Sequence, residues 1–79
     1  MGIRFYAYRE GGTIDELWRQ FWEACDVFGL RDVYVYDASE SNGDLTIYEF
    51  EGMTGNEAIA VFEYLDETYP KSHWEITGY

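Results

Sequence analysis

The sequence predicts an α+β domain in the order strand, helix, strand, strand, helix, strand, and three observations lead there. Four short stretches alternate apolar and polar residues, two longer ones carry apolar residues at helical spacing, and turn or capping signals separate them. At 79 residues with 47% apolar side chains, the chain holds one domain, residues 1–79, and can fill one core. An aromatic share of 20% excludes a disordered acidic tail.

Each element has its own signature. Ile3 to Tyr8 alternates, with Ile3, Phe5 and Ala7 on one side and Arg4, Tyr6 and Tyr8 on the other. Gly11-Gly12 ends it, and Thr13 with Glu16 forms a capping-box pattern that starts a helix. Ile14, Leu17, Trp18, Phe21, Cys25 and Phe28 make the apolar stripe of this helix, widened by Trp22, and Gly29 stops it. From Asp32 to Asp37, Val33 and Val35 stand opposite Tyr34 and Tyr36, and a turn is expected over Ser39–Gly43. The returning strand, Leu45–Glu51, has mixed parity. Leu45 and Ile47 favour one face, Tyr48 and Phe50 the other, which calls for either a bulge near Tyr48-Glu49 or a core drawn from the even positions.

Thr54 and Glu57 give a second capping box, opening a helix that runs to about Tyr69 and stops before Pro70. Ala58, Val61, Phe62, Leu65 and Tyr69 are its apolar stripe. A last strand turns Trp74 and Ile76 inward and His73, Glu75 and Thr77 outward. The βαββαβ order is the split βαβ arrangement of the ferredoxin-like fold, a four-stranded antiparallel sheet with two helices on one face. The other face is then left open, carrying Arg4, Tyr6, Tyr8, Tyr34, Tyr36 and Tyr48.

Charge is the strongest functional signal. Sixteen acids against five Lys and Arg give a net charge of −11, where a small domain ordinarily carries a magnitude of roughly 2–8. Residues 1–31 are nearly balanced at −1, and residues 32–79 carry −10. The hairpin supplies Asp37, Glu40, Asp44, Glu49 and Glu51, and the second helix adds Glu63, Asp66 and Glu67. Glu63 and Glu67 stand one helical turn apart, where like charges lower stability. Such rows imitate phosphates and suit a groove lined by Arg and Lys.

An open aromatic sheet resembles the RNA recognition motif, in which aromatics of the central strands stack on bases. Leu45–Glu51 lacks the basic and glycine residues of that signature, and its carboxylates repel a phosphate backbone, so no direct nucleic-acid partner is expected. The tyrosines Tyr34, Tyr36 and Tyr48 are instead expected to add apolar area to a protein interface.

Other chemistry has little footing. Asp37, Ser39, Ser41 and Asp44 approach a calcium-loop spacing, but Gly43 falls one place late and the closing glutamate is missing, so a turn is expected. One histidine, His73, and one cysteine, Cys25, are too few for a zinc or iron site or a nucleophile–base pair. No metal, cofactor or catalytic residue is expected. Cys25 lies on the first helix's apolar stripe, where a packed thiol is the ordinary case. No apolar run reaches a membrane span and no signal-peptide core opens the chain, so a cytoplasmic protein is expected.

In size, acidity and expected fold, the chain resembles small phage-encoded inhibitors of the anti-CRISPR and anti-restriction type, several of which act as duplex mimics. The resemblance implies a non-catalytic, monomeric inhibitor that binds a basic nucleic-acid-handling complex of the Cascade/Cas or restriction type in the host bacterial cytoplasm. It carries no motif, so the interface residues above come from charge and parity. Two alternatives stand beside it: an immunity or antitoxin-type inhibitor of one basic nuclease, and an interaction module that self-associates.

Overall fold

Phe5 and Ala7 are fully buried while Arg4 is exposed and Tyr6 and Tyr8 are only partly covered, so alternation in the first strand becomes a two-faced sheet. In the computed structural model, which describes residues 2–78, the elements are β1 (Arg4–Tyr8), α1 (Ile14–Val27), β2 (Tyr34–Ser41), β3 (Asp44–Glu51), α2 (Gly55–Thr68) and β4 (Trp74–Thr77). A 3₁₀ turn at Pro70–Ser72 precedes β4. The strands lie in the order β2-β3-β1-β4 with every neighbouring pair antiparallel. This is the βαββαβ arrangement expected from the sequence.

Local chemistry explains the boundaries. At α2 the capping box is complete: Thr54 Oγ1 accepts from the Glu57 N–H at 3.2 Å, and Glu57 Oε1 accepts from the Thr54 N–H at 2.9 Å. At α1 it is half formed. Thr13 Oγ1 accepts from the Glu16 N–H at 3.2 Å, but the Glu16 carboxylate turns to Arg9 Nη1 at 3.0 Å. The far end of α1 closes with paired bonds from Gly29 N to Asp26 O and Leu30 N to Cys25 O, both 2.9 Å. Gly29 takes the left-handed φ of 69° that this ending requires.

The hairpin departs from expectation. The turn predicted over Ser39–Gly43 contracts to two residues, because β2 stays paired through Ser41. Asn42 and Gly43 have φ of 39° and 88°, the two positive values that a tight type I′ reversal needs. The mixed parity of β3 resolves as an irregularity in the ladder. Val35 pairs with Phe50 and Ala38 with Ile47, but between them Asp37 sits opposite Glu49, one step out of register. Three positions, rather than two or four, separate the inward residues on each strand. Tyr36-Asp37 and Tyr48-Glu49 therefore leave the alternation together, and Leu45, Ile47 and Phe50 all reach the core.

That core lies between the sheet and both helices. Phe5, Ala7, Leu45 and Ile47 meet Leu17, Phe21 and Ala24 of α1 and Ala58, Val61 and Leu65 of α2. Phe21 sits at its centre, edge-on to Phe5 at 5.4 Å and stacked on Trp74 at 6.4 Å. Full burial of such side chains contributes about 1.5–3 kcal/mol each. Gln20 is also buried, because its Oε1 accepts from Trp74 Nε1 at 3.1 Å and neither polar atom is left unpaired. Two expectations need correction. Phe28 is not on the buried stripe: it caps α1 at 44% exposure, edge-on to Tyr64. His73 is not a strand residue but a left-handed cap after the 3₁₀ turn, with φ of 42°.

Candidate functional site on the open sheet face

Register places the outward residues. Arg4, Tyr6 and Tyr8 of β1 alternate with buried residues, and across the ladder Tyr6 faces Thr46 and Tyr8 faces Asp44. On its other side Tyr6 faces Glu75 of β4. At the far edge of the sheet Tyr34 faces Glu51. Two strands of tyrosines and carboxylates thus lie side by side on the surface away from the helices.

The polar contacts within this face are specific. Tyr6 donates its hydroxyl to Asp44 Oδ2 at 3.2 Å. The Tyr6 hydroxyl is held above its ordinary pKa, first by burial and then by the Asp44 charge. Tyr36 is raised as well, chiefly because Glu51 accepts its hydrogen bond. Tyr34 and Tyr36 lie 4.6 Å apart, ring to ring, and both are more than half exposed. The Arg4 guanidinium lies 5.3 Å from the centre of the Tyr48 ring, within cation–π range.

Electrostatics set the site apart. Asp37 and Glu49 face each other directly across the irregular ladder, and both are exposed. Paired positions on antiparallel strands hold their Cα atoms about 4.5–5.5 Å apart, and like charges there are destabilising. Among the described residues the one side-chain ion pair is Arg9–Glu16, which lies off this face. Among the described residues the carboxylates of the open face therefore have no ion-pair partner.

The acids expected to act together divide into three groups. Asp37, Asp44, Glu49 and Glu51 gather with Tyr34, Tyr36 and Tyr48 on or beside the open face. Glu40 leaves them, since it is paired with buried Leu45 and accepts a hydrogen bond from Trp18 Nε1 on the helix side of the sheet. Glu63, Asp66 and Glu67 are exposed on α2, in the helix layer. A flat partner on the open face does not reach them. Glu75, turned outward by parity but not counted among the interface acids, joins the open face through β4 opposite Tyr6.

Sequence reasoning also missed a carboxylate on α1. Glu23 accepts hydrogen bonds from Tyr69 and, at 3.0 Å, from Tyr64, which together hold its pKa below the usual carboxylate range. The same bond pushes Tyr69 up to about 12. No periodicity rule signals such a contact, because its partners lie more than forty positions apart. Cys25 is buried and its thiol is pushed up to about 11 by desolvation, which makes it a poor nucleophile at neutral pH. Among the described residues no three His, Cys, Asp or Glu side chains gather as a metal site, and no helix is long and apolar enough to cross a membrane.

The class that fold and site define is a βαββαβ α+β domain with an open tyrosine-carboxylate sheet face. Compared with known proteins, the chain matches no family model, no curated protein and no solved structure.

Proposed function

We propose that the chain is a non-catalytic inhibitor that occupies a basic nucleic-acid-binding surface of a host defence complex, CRISPR-based or restriction-type, through the open sheet face. The observation that carries this reading is the unpaired opposition of Asp37 and Glu49 among exposed tyrosines. A surface shaped by stability alone has no use for two carboxylates directly opposed. A partner offering Arg and Lys turns that repulsion into charge-assisted hydrogen bonds. Tyr34, Tyr36 and Tyr48 add apolar area around them, and the charge of −11 speeds encounter with a basic groove. The partner's cationic groove is then filled by carboxylates where it would hold phosphates.

The test is displacement of a fluorescent DNA duplex from purified CRISPR surveillance and restriction complexes. The wild-type chain is expected to release the duplex with an affinity that falls steeply as salt rises. Converting Asp37, Asp44, Glu49 and Glu51 to lysine abolishes release. Equal release by that variant, or an affinity indifferent to salt, contradicts the reading.

A further inference from the structure

The edge of the sheet at β2 carries a second surface, which adjoins the open face and shares Tyr34, Tyr36 and Asp37 with it. Among the described residues five large apolar side chains are exposed, and three of them, Trp22, Tyr34 and Tyr36, line one groove between α1 and β2. Its volume is about 440 Å³, and Trp18, Val33, Val35 and Ala38 complete its apolar wall. Trp18 and Trp22 lie nearly parallel, with ring centres 6.1 Å apart and planes 14° off. The groove runs along a strand whose outer edge has no neighbour, since β2 ends the order β2-β3-β1-β4. Backbone donors and acceptors on that edge are free to pair with an added strand.

The sign of the charge along this edge selects the occupant. Soluble proteins usually guard an edge with lysine or proline, and the sequence of β2, Tyr34 to Ser41, contains neither. Its guards are Asp37, which lines the groove, and Glu40, fixed beside it by Trp18. A second copy of this chain would bring the same acids and another −11 of charge against them. A cationic segment meets no such opposition: its arginines can bond the two carboxylates and stack on the exposed indole.

We infer that β2 and the Trp18–Trp22 groove form a docking site for an extended, arginine- or lysine-bearing segment of a partner protein, with one apolar side chain seated in the groove. The ladder irregularity at Asp37 limits the added pairing to the runs on either side of it, so the anchor side chain and the carboxylates carry the selectivity. Tyr34, Tyr36 and Asp37 are common to both surfaces, but the Trp18–Trp22 wall on α1 and the unpaired edge of β2 belong to this one, and they carry the inference.

The probe is a synthetic peptide of alternating arginine and valine, compared with the same peptide carrying glutamate in place of arginine, at ~0.15 M salt. Binding is followed by tryptophan fluorescence and by amide NMR shifts. The arginine peptide is expected to bind saturably and to move amides of Tyr34–Ser41, while the glutamate peptide does not bind. Trp22→Ala and, separately, Asp37→Lys are each expected to weaken binding by about tenfold, as loss of an anchor or of a charge pair does. Asp37 is exposed and Trp22 is 41% exposed but packs on Phe21, so far-UV circular dichroism checks that each variant is folded, and Asp37→Lys tests the site without touching the core. Undiminished binding in both variants, or shifts confined to β1 and β3, overturns the inference, as does sedimentation as a dimer that protects β2. The two sites fail separately: Asp44→Lys with Glu49→Lys abolishes duplex displacement yet leaves peptide binding within about threefold, whereas Trp22→Ala does the reverse.

Discussion

On the helix side of the sheet, Phe5, Ala7, Leu45 and Ile47 lose all exposure, and the two buried polar groups that meet there, Gln20 and Trp74 Nε1, satisfy each other. On the other side of the sheet, Tyr6, Tyr8 and Tyr48 stay partly open, and Asp37 and Glu49 stand opposite each other with no ion-pair partner among the described residues. The first face follows the rules of a stable core, with Ser72 Oγ, just before β4, the one buried side-chain polar atom among the described residues that has no partner. The second departs from them where a basic partner would gain most. One four-stranded sheet thus carries a face that folds the chain and a face whose arrangement folding does not explain.

The contrast can be broken most forcefully from the core side. Phe21→Ala removes a ring in contact with Phe5, Trp18, Trp22 and Trp74. It is expected to lower unfolding free energy by about 3–5 kcal/mol in urea titration, a large part of what a small domain has. Gln20→Ala strands the Trp74 N–H in a buried site and is expected to cost about 1–3 kcal/mol, most of it recovered when Trp74→Phe is added. Thermal denaturation of the single and double variants reads this directly. The helix starts give a finer comparison. Thr54→Ala breaks a complete capping box and is expected to lose ~1 kcal/mol. Thr13→Ala removes the same N-cap bond from α1 and is expected to lose a similar amount in the same measurement. Glu57→Ala also strips the acceptor from the Thr54 N–H, whereas Glu16→Ala has no such bond to strip.

The alkaline limb gives a titration check. The folded Tyr69 pKa lies above its ordinary value of 10, at about 12, so its contribution is intact below pH 10 and lost as pH rises from 10 towards 12. Glu23 has the opposite sign: its folded pKa is lowered from 4.5, so its contribution is present above that value and lost as pH falls through the depressed one. Tyr69→Phe is expected to flatten the alkaline loss and weaken the acid one, as followed by melting temperature against pH.

Element order, the helix faces apart from Phe28, and the inward strand residues of β1 and β4 were legible because each rests on a local period. What escaped was set by one register irregularity. Continued alternation through β2 keeps Glu40 with Tyr34 and Tyr36, but the slip at Asp37 exchanges the faces, sending Glu40 to Trp18 and leaving Asp37 opposite Glu49. A bulge leaves no period of its own. Its only trace was the conflict between Ile47 and Phe50, which showed that a slip was needed in β3 and not what it would do to β2. The α2 acids illustrate a different limit. Charge counting groups Glu63, Asp66 and Glu67 with the hairpin, whereas the crossover puts them in the helix layer. Composition carries no direction.

The smallest expected effect is the most telling, because it runs against the usual direction of mutation. Asp37→Asn combined with Glu49→Gln removes the opposed charges and keeps the shape of both side chains. If the open face is an interface held at a loss of stability, the variant unfolds about 0.2–1 kcal/mol later than wild type at low salt, and the gain fades as salt rises. In the same preparation it releases duplex DNA from the target complex less well. A variant that is less stable than wild type, or that releases the duplex equally well, would contradict the account.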